Sequence, residues 1–413
     1  MQPLIVSQSD SEGGAARAAW RLHQALVRTG IDSRMRVAHS SSGDWRVQGD
    51  SNPVARLSTF LRPRAARLVS RWQRSQNPMP HSLGLWPSNH ARAIAEDSCD
   101  IVNLHWVCGE MMSIPDIGRI TKPMVWTLHD SWPFCGTEHH PEPSHDERYL
   151  VGYRPDNRPP GHSGIDLDAW NWRRKRKSWT RPIRLISPSA WLAACAARSV
   201  IARDWPIEII PNPLPTQVYR PMPASLGRAV FSLPDEAPLV LFGAVGGALA
   251  KGWDLLELAL RHVSARMPLV RAVVVGQREP RRPPDIGMPI HFVGRLGDDA
   301  ALALLYGAVD VVVIPSRVEN LPQMGTEAQA CGTPVVAFNC CGLPEVVEHE
   351  VTGYLAKPYE PADLAEGVLR VLGSRGAASR LRQASAERAA SLWSERVIVP
   401  QYVAAYSRSM ESS

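Results

Sequence analysis

Pro315-Ser316-Arg317-Val318-Glu319-Asn320-Leu321-Pro322-Gln323-Met324-Gly325-Thr326-Glu327-Ala328 is the densest chemical signal in this 413-residue chain. It follows the apolar run 309–314 (VDVVVI), read as a buried strand, and opens a helix that ends near Cys331-Gly332. Pro322 suits the first helical turn, where a missing N–H leaves no bond unmade. The N–H groups and positive end of such a helix favour an anion, such as a diphosphate. Glu319 lies in the loop before the helix, and Glu327 about one and a half turns inside it. At ~1.5 Å rise per residue, the two carboxylates can contact opposite ends of one elongated ligand. Acids sit badly beside phosphate but accept hydrogen bonds well from sugar and ribose hydroxyls.

Outward from this stretch the chain alternates short apolar runs with helical spacing. In the first half, strands are predicted at 4–9, 33–38, 100–106, 124–129, 184–188 and 207–211. A turn at Glu12-Gly13-Gly14 leads into a helix through Ala16, Ala19, Leu22, Leu26 and Val27, stopped by Gly30. The second half repeats the pattern, with strands at 239–245, 270–275, 290–293, 309–314, 334–338 and 353–355. Continuous apolar strands alternating with helices predict parallel sheets covered on both faces. Between the halves, Pro211, Pro213, Pro215, Pro221 and Pro223 read as a stiff linker. The expected fold is α/β, two tandem Rossmann-like doubly wound domains facing a central cleft. Their expected bounds are 1–215 and 216–392, with a helix at about 393–413 packing back on the first. Ligands of such sheets bind at the carboxyl ends of the strands.

Glu319-x7-Glu327, followed by Cys331-Gly332-Thr333-Pro334-Val335-Val336 and Gly342-Leu343-Pro344-Glu345-Val346-Val347, resembles glycosyltransferase family 4. Gly13-Gly14-Ala15-Ala16-Arg17, Asp100-Ile101-Val102-Asn103-Leu104-His105-Trp106 and Thr127-Leu128-His129-Asp130-Ser131-Trp132-Pro133-Phe134 extend the likeness over most of the chain. It looks like the subgroup of bacterial exopolysaccharide, O-antigen and colanic-acid-type transferases. The resemblance implies the GT-B architecture and retaining, metal-independent transfer from a nucleotide-sugar donor to a glycan or lipid-linked acceptor in surface polysaccharide biosynthesis. It implies no cofactor.

By that resemblance Glu319 contacts donor-sugar hydroxyls, with Asn320 and Leu321 offering backbone groups, and Glu327 binds the ribose. His129 contacts the sugar near its reacting carbon, and Gly13-Gly14 lets backbone approach the donor phosphate or the acceptor. His105 and Trp106 are candidates for the acceptor side. Lys251, opening Lys251-Gly252-Trp253-Asp254, can neutralise the leaving diphosphate. The family usually places an arginine shortly before this lysine, where the chain reads Gly246-Gly247-Ala248-Leu249-Ala250. Arg295 and Arg317 are the candidates to compensate. A non-catalytic or regulatory nucleotide-sugar-binding protein and a sugar-nucleotide epimerase are the alternatives on the same fold.

Other classes find little support. No GxGxxG follows the first strand, and Lys251 lacks the Gly-Lys-Ser/Thr order of a P-loop. Asp166-Leu167-Asp168 fits a DxD metal pattern but follows a Gly/Pro loop and not a strand. His139, His140 and His145 lack the cysteines and regular spacing of a zinc site and read as part of a long active-site loop. Twelve of the fourteen tryptophans lie at or before Trp205 and read as packing, with Trp106 and Trp132 as sugar-stacking candidates.

Seven cysteines form no CxxC pair, the N-terminus lacks a signal-peptide pattern, and the longest uncharged run, 328–344, is broken by Gly, Pro and Asn. A reduced cytoplasmic setting is expected, with peripheral contact on the inner face of the cell membrane left open. The net charge of +6 suits an anionic small ligand, an anionic lipid surface or nucleic acid and does not choose among them. Two basic segments could meet an anionic membrane surface or be solvated helix faces. One combines Arg62, Arg64, Arg67, Arg71 and Arg74 with Leu61, Leu68, Val69 and Trp72; the other is Trp172–Trp179. No nucleic-acid motif accompanies the charge.

Overall fold

Leu4, Ile5 and Val6 of strand β1 (Pro3–Ser9) are essentially inaccessible to solvent, because parallel strands are packed on both faces. The computed structural model describes residues 1–50, 52–141, 148–243, 249–373 and 375–411. It divides into two units, Met1–Pro213 with Ile398–Ser413, and Leu214–Val397.

In the first unit, helix α1 (Gly14–Arg28) joins β1 to β2 (Arg34–His39). Ala16, Ala19, Leu22 and Leu26 are buried at helical spacing, and Gly30 ends the run with φ +84°. Strand β3 (Val47–Gln48), helix α2 (Pro53–Ser70), β4 (Ile101–Leu104), β5 (Met124–Thr127), helix α3 (Leu167–Ser178), β6 (Arg184–Ser187) and β7 (Ile207–Ile209) follow. The sheet order is β3-β2-β1-β4-β5-β6-β7, parallel throughout. Its order reverses between β1 and β4, the point where ligands of doubly wound sheets collect.

The second unit repeats the plan with β8 (Leu239–Phe242), helix α4 (Trp253–Arg266), β9 (Arg271–Val275), β10 (Ile290–Gly294), β11 (Val311–Ile314), helix α5 (Gln323–Ala330), β12 (Val335–Phe338) and β13 (Gly353–Ala356). Its order, β10-β9-β8-β11-β12-β13, is again parallel and again reverses beside the first strand. Helix α6 (Glu395–Glu411) belongs to the first unit from Ile398 onward. There Tyr402 and Tyr406 are buried, and Asn103 donates to the Tyr406 hydroxyl at 2.8 Å.

Several boundaries differ from the sequence expectation. The runs 100–106 and 124–129 end as strands at Leu104 and Thr127. One further sheet bond forms at each end, His105 N–H to Val6 and Leu128 N–H to Ile186, before the chain turns off. The proline-rich stretch is not a bare spacer, because Leu214 and Tyr219 are buried in the core of the second unit. The short β3, and the antiparallel pair Gln73–Arg74 with Ser163–Gly164, are too brief to leave a periodic signal.

Candidate functional site

In the first unit, the carboxyl ends of β1, β4 and β5 present Gly13, His105, Trp106 and His129. Gly13 sits at the N-cap of α1 with φ +88°, a region that disfavours any side chain. A Cβ on Gly13 or Gly14 would meet nothing within 4 Å, so the space at this helix start is open. The first turn carries no acid, which suits an anion.

His105 and His129 are stacked, with ring centroids 5.1 Å apart, and share a hydrogen bond of 2.9 Å between Nδ1 and Nε2. Burial pushes His129 down to about 4 and His105 well below its ordinary value, so both rings are neutral near pH 7. His105 is 2% exposed. Trp106 is also tied down, its indole N–H donating to Asp130 at 2.9 Å. His139 Nδ1 bonds the same Asp130 oxygen at 2.5 Å, and its Nε2 bonds Ser82 Oγ at 2.8 Å. Burial alone would raise the Asp130 carboxyl, but His139, His140 and the Trp132 N–H together outweigh it and hold the group well below the usual carboxylate range.

The loop that carries His129 is anchored from α3. Lys175 is fully buried and donates to the carbonyls of Trp132, Cys135 (3.0 Å) and Gly136 (2.7 Å), with its ammonium 3.8 Å from the Trp132 ring centroid. Burial pulls its pKa down to about 8. The basic run is therefore only partly surface. Trp172, Lys175 and Trp179 are buried, Arg174 donates to the carbonyls of Leu83 and Gly84, and Arg173, Arg176 and Lys177 remain exposed. Trp132 is also buried, its N–H donating to Ser82 O, which removes it from the sugar-stacking candidates.

Asp166 and Asp168 are structural. Asp166 caps α3 and pairs with the buried Arg148; Asp168 accepts from Gln73 and Thr137. His145 lies outside the described residues. Among the described residues no group of three or more His, Cys, Asp or Glu is placed to hold a metal ion.

In the second unit, Lys251 ends a single 3-10 turn before α4 and places its ammonium 2.5 Å from Glu319 Oε1. Glu319 raises the pKa of Lys251 against the effect of burial, and Ser316 Oγ donates to the same carboxylate oxygen at 3.0 Å. A Cβ on Gly252 would lie 1.9 Å from Pro315 O, so the lysine turn approaches the Glu319 loop as only glycine allows. Pro322 is the N-cap of α5, one position earlier than expected.

Asn320 and Leu321 are nearly buried, and the Gly342 N–H donates to Glu319 O at 3.0 Å. Glu327 is 1% exposed, with the Tyr306 hydroxyl donating to Oε2 at 2.8 Å; sequence spacing gave no sign of this partner. Arg317 is engaged by Asp254 through two bonds of 2.6 and 2.7 Å, and Arg295 is exposed just after β10. Of residues 246–250, where the family's arginine is expected, 246–248 lie outside the described residues.

The profile described as Glycosyltransferase Family 4 matches residues 12–218, half of the chain, and that described as Glycosyl transferases group 1 matches residues 238–374. D-inositol 3-phosphate glycosyltransferase of Mycolicibacterium smegmatis is 32% identical over 216 residues, 49% of this chain and 48% of that protein. The protein so named from Xylanimonas cellulosilytica is 37% identical over 175 residues, 40% of each. The chain thus spans less than half the length of these curated relatives. Among solved structures, sucrose-phosphate synthase from Thermosynechococcus elongatus is similar with a TM-score of 0.67 at 19% identity. HepE from Anabaena, solved with UDP-glucose, reaches 0.67 at 18% identity, and each pair covers 100% of both chains. These likenesses show the GT-B fold.

Proposed function

The chain belongs to Glycosyltransferase Family 4, and from that premise we propose that it is a glycosyltransferase carrying out retaining, metal-independent transfer from a nucleotide-sugar donor to a glycan or lipid-linked acceptor in surface polysaccharide biosynthesis. The observation that carries this proposal is the Lys251–Glu319 pair, which sets a cation beside a hydroxyl-accepting carboxylate where two loops meet. The Lys251 side chain is 61% exposed, so its ammonium can meet a phosphate without being dug out of a core.

In the proposed reaction the acceptor hydroxyl attacks the sugar's anomeric carbon from the face that the diphosphate leaves. The bond from that carbon to the diphosphate oxygen breaks, and the hydroxyl proton passes to the departing phosphate. Lys251 stabilises the negative charge that grows on that phosphate. Glu319 accepts hydrogen bonds from sugar hydroxyls, and neutral His129 offers a further polar contact near the reacting carbon. Positioning and charge stabilisation then supply most of the rate.

Helix α2 supports a lipid-side acceptor. Leu57, Phe60, Leu61 and Leu68, with Trp72 just beyond the helix, are exposed among exposed Arg56, Arg64, Arg67, Arg71 and Arg74, and residues 53–74 contain no acid. That composition suits an anionic bilayer surface. Among the described residues no helix is long and apolar enough to cross a membrane.

The test is calorimetric titration of UDP, GDP and dTDP into wild type and Glu327→Ala, with chelator present. Metal-free binding of one nucleotide, weakened in the variant, is expected and names the donor class for turnover assays. Absence of binding by all three refutes the proposal. A donor-binding protein without turnover is the second reading, favoured by the engagement of Arg317 with Asp254.

A further inference from the structure

Two adjacent cysteines, Cys340 and Cys341, follow β12 and lie against the loop that carries Glu319. Their thiols converge on one backbone oxygen. Cys340 Sγ and Cys341 Sγ each lie 3.7 Å from Arg317 O, and the Tyr359 hydroxyl donates to the same oxygen at 3.2 Å. Cys340 Sγ also lies 3.8 Å from Ser316 O. Cys341 has φ +53°, a left-handed conformation that disfavours a non-glycine residue. The next residue, Gly342, touches the donor loop directly, because a Cβ there would fall 1.6 Å from Asn320 O. Both thiols are half-buried, whereas Cys99, Cys108, Cys135 and Cys331 are buried.

The pair is chemically unequal. A hydrogen bond from Cys341 lowers the Cys340 thiol below its ordinary value, against the effect of burial and with help from Tyr359. The same bond, with burial, raises Cys341. Such asymmetry beside a neighbouring thiol marks a nucleophile and its resolving partner.

We propose that Cys340 and Cys341 are a peroxide-sensitive dithiol that closes to a disulfide and, by reshaping the turn into Gly342, displaces the Glu319-Asn320 loop and weakens nucleotide binding. The Cys340 thiolate attacks one peroxide oxygen, the O–O bond breaks, and the other oxygen leaves as water after taking a proton. The resulting sulfenic acid is attacked by Cys341 sulfur, the S–S bond forms, and a second water departs. In balance, two thiols and one hydrogen peroxide give one disulfide and two waters. Adjacent Cα atoms are about 3.8 Å apart, below the ~4.4 Å at which disulfides normally begin, so the backbone must turn to close the bond. The product is strained and hence readily reversed by thiols. The effect on binding rests on the donor role proposed for the Glu319 loop; the dithiol chemistry does not.

The experiment treats the full chain with hydrogen peroxide or dithiothreitol, then alkylates and digests it for mass spectrometry, with UDP, GDP and dTDP titrated in parallel. The peptide holding Cys340 and Cys341 is expected to lose two hydrogen atoms and resist alkylation. The nucleotide that binds the reduced chain is expected to bind at least ~10-fold more weakly after oxidation, with recovery on reduction. Cys340→Ser and Cys341→Ser should each bind equally well before and after peroxide. Alkylation of both thiols after peroxide, or pairing of either with another cysteine, overturns the dithiol. Disulfide formation with unchanged binding overturns the coupling. Failure of the reduced chain to bind any of the three nucleotides counts against the functional proposal, and the peptide still decides the dithiol.

Discussion

Gly342→Ala isolates the contact on which the Glu319 loop rests. Gly342 has φ −86° and ψ 0°, which alanine also adopts, so the substitution adds no backbone strain of its own. Its new methyl would stand 1.6 Å from Asn320 O, 2.7 Å from Asn320 C and 3.2 Å from Glu319 O. Cβ contacts essentially never fall under 3.0 Å, so the Asn320 carbonyl must retreat by about 1.4 Å. Backbone cannot swing aside as a lysine tip can. Overpacking of this kind costs about 1–3 kcal/mol of stability, and displacement of a substrate-contacting group by over 1 Å costs a rate factor of about 10².

The assay combines thermal unfolding, nucleotide calorimetry and donor turnover. Gly297→Ala serves as control, because a Cβ there would meet nothing within 4 Å. A Gly342→Ala protein that melts, binds and turns over like wild type would refute both the close packing of the two turns and the role of the Glu319 loop.

Lys251→Met and Glu319→Gln should each lower turnover by about 10²–10³. Their melting temperatures should barely move, since a pair whose lysine is 61% exposed contributes no more than about 1 kcal/mol. His129 titrates in the fold at about 4 against an ordinary 6.5, so the unfolded chain takes up a proton first as pH falls. The stability this histidine contributes is complete above pH 6.5 and is lost between about 6.5 and 4. Denaturant unfolding across that range should show a shallower slope in His129→Gln by up to about 1.4 kcal/mol per pH unit. Finally, Leu57→Asp with Phe60→Asp should abolish co-sedimentation with anionic vesicles and leave nucleotide binding intact; vesicle binding equal to wild type counts against α2 as the contact.

The parallel strands were legible because buried strands need apolar runs, and the unbroken stretches 272–275 and 311–314 inside the predicted strands have no other plausible use. Glu319 and Lys251 were legible as separate motifs, and their pairing follows once β8 and β11 lie side by side. The network of Trp106, Asp130 and His139 was not, because it depends on the path of an irregular loop, which leaves no periodic trace. Asp166, set aside in the sequence as half of a weak metal pattern, is a helix cap, as an aspartate immediately before a helix is first of all expected to be. The basic run was misread through its charge density. Trp172, Lys175 and Trp179 fall at i, i+3 and i+7, one face of a helix, and that spacing could have signalled a buried lysine. Tyr306, the partner of Glu327, stands 21 residues away on another helix, beyond any local pattern.

Helix α6 bears on how the protein is made. Residues 398–411 leave the ribosome only after the whole second unit, yet Tyr402 and Tyr406 complete the interior of the first. The nascent first unit therefore waits with the Asn103 amide lacking its hydroxyl partner and with apolar surface beside β4 and β5 uncovered. Translation stalled before Ile398 should yield a chain that folding helpers hold and proteases cut, even though its own seven strands have all been synthesised.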